Sequence, residues 1–262
     1  MGTEGTLTDR DVLARVAAFA DEHQNRSASR RESWSGGSAI FHDDLPLIYD
    51  LNLMRLEVEG LDVATVAAEA DRLMGQLGHR QLTVRDEVVG RTLVDGLVER
   101  GWHADRHVVM VHRREPDRVV DTHDVEEVAE PVVWPSRAEW LRTYEWASDK
   151  ATIDQLHAAY RIWMRAGNGR DFALKRDDKP VSFAMLWTEG EVAQIEDVAT
   201  LDSHRNQGLC RAVVGRCVEE ARSQGCDVIF LIADEADWPK ELYRKIGFET
   251  VGCFYYFLKT NS

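Results

Sequence analysis

The chain has 262 residues, 44% of them hydrophobic, with 32 basic against 46 acidic side chains and a formal charge of −14. That size and apolar content can bury one large core or two moderate ones, and the negative field opposes a nucleic-acid backbone, so no nucleic-acid partner is expected. The apolar runs are far shorter than the roughly 20 residues of a membrane helix, the opening MGTEGTLTDR lacks a charged-then-apolar leader pattern, and the four cysteines (Cys210, Cys217, Cys226 and Cys253) form no CxxC pair, so a reduced cytoplasmic protein without membrane association is expected.

Residues 9–22 place Val12, Val16 and Phe19 at helical spacing behind a Thr-Asp start and predict a helix. The polar stretch NRSASRRESWSGGS reads as loop. Strands are predicted at 39–42 and 51–58, a helix over 62–77, a strand at 81–85, a helix over 88–100 closed by Gly101, and a strand at 107–112. The charged, proline-bearing segment 113–124 places a boundary that divides 1–118 from 119–262. Beyond it come a strand at 125–129, helices over 136–147 and 152–166, a meander of strands at 171–175, 181–187 and 192–200, a helix over 207–223, a strand at 228–233, a helix over 238–246 and a closing strand at 250–258. Both parts end in the same order: strand, helix, a glycine-aromatic pair (Gly101-Trp102 and Gly247-Phe248), strand. This points to two copies of one α+β module.

The helix after Gly208 lines up Leu209, Val213 and Cys217, so it packs on a sheet. Its entry, Arg205-Asn206-Gln207-Gly208, follows a strand directly. Two readings stay open on physics alone: Gly208 ends a loop before an ordinary packed helix, or the turn is an anion cradle. In the second reading a missing Cβ lets backbone amides and the positive helix end approach a diphosphate, with Arg205 and Arg211 adding charge. Neither GxxxxGK[ST] nor GxGxxG occurs, which removes the usual supports for nucleotide hydrolysis and nicotinamide chemistry.

Arg205 to Cys210 read R-N-Q-G-L-C, which resembles the Q/R-x-x-G-x-G/A signature of the GNAT acyltransferase superfamily, with Cys210 in place of the last glycine or alanine. Downstream, KELYRKIGFETVG is similar to the family's closing block, a helix carrying L-Y-x-K-x-G-F and then a strand. The resemblance covers about residues 120–258. It implies a GNAT-like mixed sheet flanked by helices and acetyl-CoA as co-substrate. Backbone groups near Val198 and Thr200 would hold the pantetheine arm, and the turn formed by Arg205, Asn206, Gln207, Gly208, Leu209, Cys210 and Arg211 would hold the diphosphate. The asparagine common seven residues before the tyrosine is replaced by Ala236, and Asp237 is expected to cap the helix, with Pro239 in its first turn. Residues 1–118 resemble a degenerate copy, through HRQLTV, GRTLVDGLVERGW and HVVMV, without the cradle motif. The implied arrangement is tandem, with the active site in the C-terminal module.

An amine of pKa ~10 is nucleophilic in only about one molecule in a thousand at neutral pH, so acetyl transfer gains from a base. Glu196, on the strand leading into the cradle, is the candidate, and strand alternation is expected to turn Asp197 to the opposite face. The closing-block match implies Tyr243 as the acid that protonates the departing thiolate. Cys210 has two readings, a small residue under the phosphates or a nucleophile activated by the helix terminus. His103, His107 and His112 are spread over two strand faces and no metal is assigned. Trp34, Trp140, Trp163, Trp187 and Trp238 are expected in cores and helix contacts. The expected acceptor is a small-molecule or peptide amine, and the competing reading is a non-catalytic CoA-binding sensor on the same fold.

Overall fold

The computed structural model describes residues 7–260. Helix α1 (Asp9–Ser27) starts at a capping box in which the Thr8 hydroxyl accepts from the Asp11 amide. It runs five residues past its expected end at 22, because His23 and Ser27 continue its buried face. Strand β1 (Arg30–Trp34) then lies where a loop was expected and forms a hairpin with β2 (Gly37–Phe41), which overlaps the strand expected at 39–42. Four of the five β1 residues are exposed, so this edge strand shows no in-out alternation to read. Next follow β3 (Leu53–Leu56), α2 (Val63–Met74), β4 (His79–Val84), α3 (Glu87–Val98) and β5 (His103–His112).

The C-terminal part begins with β6 (Val125–Val128) and α4 (Glu130–Leu141). Helix α4 starts six residues before its expected position at 136. Pro131 sits in its first turn, where a proline is tolerated, and Pro135 lies inside the helix, where its missing N–H forgoes one intrahelical bond. Then come α5 (Lys150–Ala166), β7 (Arg170–Arg176), β8 (Lys179–Glu189), β9 (Val192–Thr200), α6 (Leu209–Ser223), β10 (Val228–Asp234), α7 (Pro239–Ile246) and β11 (Phe248–Thr260). Helix α7 is capped by Trp238, not by the expected Asp237. The Asp237 carboxylate instead accepts from the Trp238 amide at 2.7 Å.

All eleven strands form one mixed sheet in the order β1-β2-β3-β4-β11-β5-β10-β9-β8-β7-β6. Two pairs are parallel, β3 with β4 and β9 with β10, and each is bridged by its crossover helix, α2 or α6. The last strands of the two parts lie across the middle: β11 pairs with β4 and β5, while β5 pairs with β10. Helix α6 covers one face, burying Val213, Cys217 and Val218 against Phe172, Leu186 and Ile229. On the other face α1 and α5 cover Phe230, Met185 and Trp187. The fold class is α+β, a mixed sheet flanked by helices. Among the described residues no helix is long and apolar enough to cross a membrane.

Because β11 fills the gap between β4 and β5, its removal exposes two ladder edges in the middle of the sheet. A chain ending at Ile246 is expected to lose cooperative thermal unfolding in both parts, read by circular dichroism. A retained cooperative transition would mean that the central strand is dispensable.

Candidate functional site

The site begins where the sheet opens. Strands β9 and β10 pair only from Val192↔Val228 to Gln194↔Phe230. Beyond Gln194, β9 stays on β8 while β10 stays on β5 as far as Asp234↔His107. A bulge between β8 and β9 lies at this opening, and within it Asp197 adopts φ 49°, a left-handed conformation unusual for a non-glycine residue.

Arg137 of α4 holds that bulge. Its Nη1 donates to Asp197 Oδ2 at 2.6 Å and its Nη2 to Asp171 Oδ1 at 2.8 Å, and its side chain is 1% exposed. The Tyr160 hydroxyl donates to the other Asp171 oxygen, and the guanidinium lies 5.0 Å over the Phe183 ring. A buried cation between two carboxylates keeps its charge only with such partners. Alternation therefore fails at Asp197. Instead of facing away from Glu196, it lines the same cavity, because the left-handed residue rotates the strand by one position.

On the α6 side of the opening lies a cavity of about 550 Å³. The turn before α6 forms its floor: Asn206 at φ 62° and Gly208 at φ 81° are both left-handed, and no side chain caps the helix. The amides of residues 206–210 have no hydrogen-bond partner among the described residues. A Cβ on Gly208 would meet one atom within 4 Å, Arg118 Nη2 at 3.7 Å, so glycine is required here by its dihedral and the space beyond stays open for a ligand. Free amides at a helix N-terminus suit a phosphate. Val198, Thr200 and Arg205 line the same cavity; Arg205 is half-exposed and pairs with Asp202 at 2.8 Å. The Arg211 guanidinium is buried against Asp117 at 2.6 Å, so its charge is already compensated. Arg118 is the cation that sequence reasoning missed, for it lies in the segment read as a boundary and reaches the cradle only through the fold.

Tyr243 forms part of the wall, with a ring edge-on to Phe248 at 6.2 Å. Burial pushes its phenol pKa up, and the neighbouring Cys210 and Glu196 add to the shift. Its hydroxyl has no hydrogen-bond partner among the described residues, although the residue is only 9% exposed. Burial also raises the Cys210 thiol to about 12. The helix terminus does not make it a thiolate at neutral pH, which disfavours the nucleophile reading. Trp238 departs from the core role expected of it. It is 64% exposed and stands at the mouth of this cavity.

On the α1 and α5 side lies a second cavity of about 450 Å³, lined by Glu196, Asp197 and Asp234 together with Asp50 and His107 of the N-terminal part. Gln194 donates to Glu196 Oε1, and the Asp197 amide donates to Oε2 at 3.3 Å. Loss of solvation, reinforced by the Asp197 charge, still raises the Glu196 carboxyl to about 8. The structure thus brings Glu196 to one cavity and Tyr243, Val198, Thr200, Arg205, Asn206, Gly208, Leu209, Cys210 and Arg211 to the other, while Gln207, expected with them, is not among the residues that line it. The two cavities meet at the bulge, where Asp197 lines one and Val198 the other.

The corresponding helix start in the N-terminal part is closed. In the β3-α2-β4 unit the Asp62 carboxylate accepts from the Thr65 amide at 2.8 Å and occupies the position that a ligand anion would take.

A sheet opened at one parallel pair above an uncapped helix is the scaffold of the GNAT fold, and comparison with known proteins agrees. Over 88% of this chain and 93% of its own, a functionally unknown conserved protein from Staphylococcus epidermidis superposes with a TM-score of 0.67 at 15% identity. A GCN5-related N-acetyltransferase from Kribbella flavida superposes over 95% of this chain and 96% of its own, with a TM-score of 0.64 at 21% identity. A GNAT-family acetyltransferase from Colwellia psychrerythraea covers 97% of this chain and 98% of its own, with a TM-score of 0.55 at 11% identity. None of the curated proteins matches the chain in sequence. The model of the Acetyltransferase (GNAT) family matches residues 133–248 of the chain.

Two measurements test this geometry. Replacing Arg137 with Met strands Asp171 as an uncompensated buried charge and is expected to cost about 3–5 kcal/mol in denaturant unfolding. A loss below about 1 kcal/mol would show that the bridge does not hold the bulge. For Glu196 the sign follows from proton binding: its folded pKa of about 8 lies above the unfolded ~4.3, so the folded state holds the proton more tightly. The stability this provides is complete below about pH 4 and is lost as pH rises through about 8. Glu196→Gln should flatten that decline between about pH 5 and 8, and parallel stability curves for the two proteins would refute the assignment.

Proposed function

We propose that the protein is an acetyl-CoA-dependent N-acetyltransferase with one active site, formed at the opening between β9 and β10, and that residues 119–262 are its catalytic module and 1–118 a degenerate copy. The observation that carries this reading is the uncapped, left-handed turn at Gly208 lying across the sheet opening from a buried carboxyl. Amides of 206–211 would take the diphosphate, with Arg205 and Arg118 beside it. The β10-facing edge of β9 from Val198 to Thr200, which has no ladder partner on that side, would hydrogen-bond the pantetheine arm. The N-terminal part offers no second cradle, since Asp62 already caps α2.

The acceptor enters from the Glu196 side. As a carboxylate, Glu196 takes the proton of the ammonium. The freed nitrogen attacks the thioester carbonyl, the C–N bond forms as the C–S bond breaks, and the Tyr243 hydroxyl protonates the departing thiolate. A carboxyl held near 8 is closer to the pKa of an amine than an ordinary one, which favours the transfer at mildly alkaline pH. Tyr243 serves as a neutral donor because burial keeps it protonated. The Cys210 thiol takes no covalent part.

The test is calorimetric titration with acetyl-CoA beside thiol release over an amine panel. Acetyl-CoA is expected to bind, and Gly208→Val, which forces a β-branched residue into φ 81°, to weaken that binding by at least about tenfold. The kcat/KM profile should rise with a midpoint near pH 8 and lose that limb in Glu196→Gln. Tyr243→Phe should lower kcat by about 10²-fold with the melting temperature little changed. Acetyl-CoA binding without thiol release to any amine would favour the sensor reading, and absence of binding would overturn both.

A further inference from the structure

The cavity beside Glu196 carries more acidic charge than proton abstraction requires. Asp50 and Asp105 reach it from the N-terminal part, and Asp234 from the C-terminal part. The neighbouring charges are otherwise settled. Asp197 is matched by Arg137 at 2.6 Å, and Arg85, the cation in the wall, is committed to Asp21 at 2.7 Å. Burial lowers His23 to about 4 and lowers His107 as well, so neither ring supplies positive charge at neutral pH.

The three remaining carboxylates meet no arginine or lysine among the described residues. Asp50 accepts from Gln81 at 2.8 Å, Asp234 from the Ala236 amide at 2.8 Å, and Asp105 faces His103 at 2.9 Å. Trp163 and Trp187 also line the cavity, and Tyr256 stands beside Asp105 as its cross-strand partner. Trp187 is 8% exposed, and its indole N–H has no hydrogen-bond partner among the described residues. Carboxylates without an arginine or lysine partner in an enclosed cavity make a site for organic cations, through ion pairing and charge-assisted hydrogen bonds. The walls come from α1, α5, the 3₁₀ turn Tyr49–Leu51 and six adjacent strands, β4, β11, β5, β10, β9 and β8, and the enclosed volume of about 450 Å³ suits a small molecule better than a peptide segment.

We propose that this cavity selects small amines bearing a second positive charge, with one nitrogen presented to Glu196 and the other group held by Asp50, Asp105 and Asp234. The inference rests on the acetyl-transfer reading for its chemistry, but binding tests it without turnover. The N-terminal part then has a defined task, supplying two of the three anchors for the distal cation.

The experiment compares 1,4-diaminobutane with 4-aminobutan-1-ol, which has the same length and one charge, using the full chain saturated with acetyl-CoA for turnover and with CoA for calorimetric binding. The diamine is expected to exceed the amino alcohol at least tenfold in kcat/KM, chiefly through KM, and at least tenfold in affinity. In Asp105→Asn/Asp234→Asn, checked for a cooperative melt, both ratios should fall toward one. Equal constants for the two ligands in the wild-type protein would overturn the inference and leave the acetyl-transfer reading standing. So would ratios unchanged in the variant, or a lysine-containing basic peptide preferred over both small amines. Diamine-selective binding with no acetyl transfer would support the cavity assignment and remove the transferase reading, so the two failures are distinct.

Discussion

One buried cation determines the geometry of the site. Arg137, almost wholly enclosed, bridges Asp171 and Asp197, and through Asp197 it fixes a left-handed residue inside β9. That residue lies just beyond the end of the β9–β10 ladder. The strands part after Gln194, and two cavities on opposite faces meet at one bulge. A desolvated charge pair is a weak source of net stability. Its value here is geometric, since neither Asp171 nor Asp197 can move without stranding the guanidinium.

The two parts of the chain have parallel β-α-β units that differ at the helix entry. In one, Asp62 satisfies the amides with its own carboxylate; in the other, Gly208 leaves them open. A carboxylate and a phosphate compete for the same donors, so a single residue type separates a capped helix start from an open one. The placement of β5 beside β10 and of β11 beside β4 also joins the parts through the middle of the sheet. This crossing carries His107 and Tyr256 into the wall of the Glu196 cavity and makes that cavity a joint product of both parts.

The protonation states follow from the same burial. Glu196 is raised because its cavity replaces water with Gln194, Met185 and Trp187 and places Asp197 beside it. Tyr243 and Cys210 are raised by burial on the other face, so the cavity beside Gly208 offers neutral hydrogen-bond donors while the cavity beside Glu196 offers a carboxyl raised to about 8. Two faces of one sheet thus hold titratable groups whose surroundings shift them for the same reason, loss of water.

Periodicity and punctuation made most elements legible: Gly101 ended its helix as expected, and it, Gly225, Gly247 and the meander turns at Asp177-Asp178 and Gly190 all lie at positive φ. The cradle turn was legible because a glycine between a strand and an amphipathic helix is a local feature, fixed by dihedral preference within a few residues. Tyr243 and Glu196 came forward for the same reason, each lying next to a local motif or on the strand that leads to one. Three features were outside the reach of local pattern. The edge strand β1 carries no alternation, Asp197 breaks the alternation that its neighbours obey, and Arg118 and Arg137 reach the site from segments 87 and 60 residues away from Arg205 and Asp197 in the chain. The sequence by itself determined the α+β class, the crossover helix and its anion-ready entry, because these depend on contacts between near neighbours. Only the tertiary structure decided which strands adjoin in the centre, which carboxylates share a cavity and which cations are already paired, because those depend on contacts between residues that chain order keeps far apart.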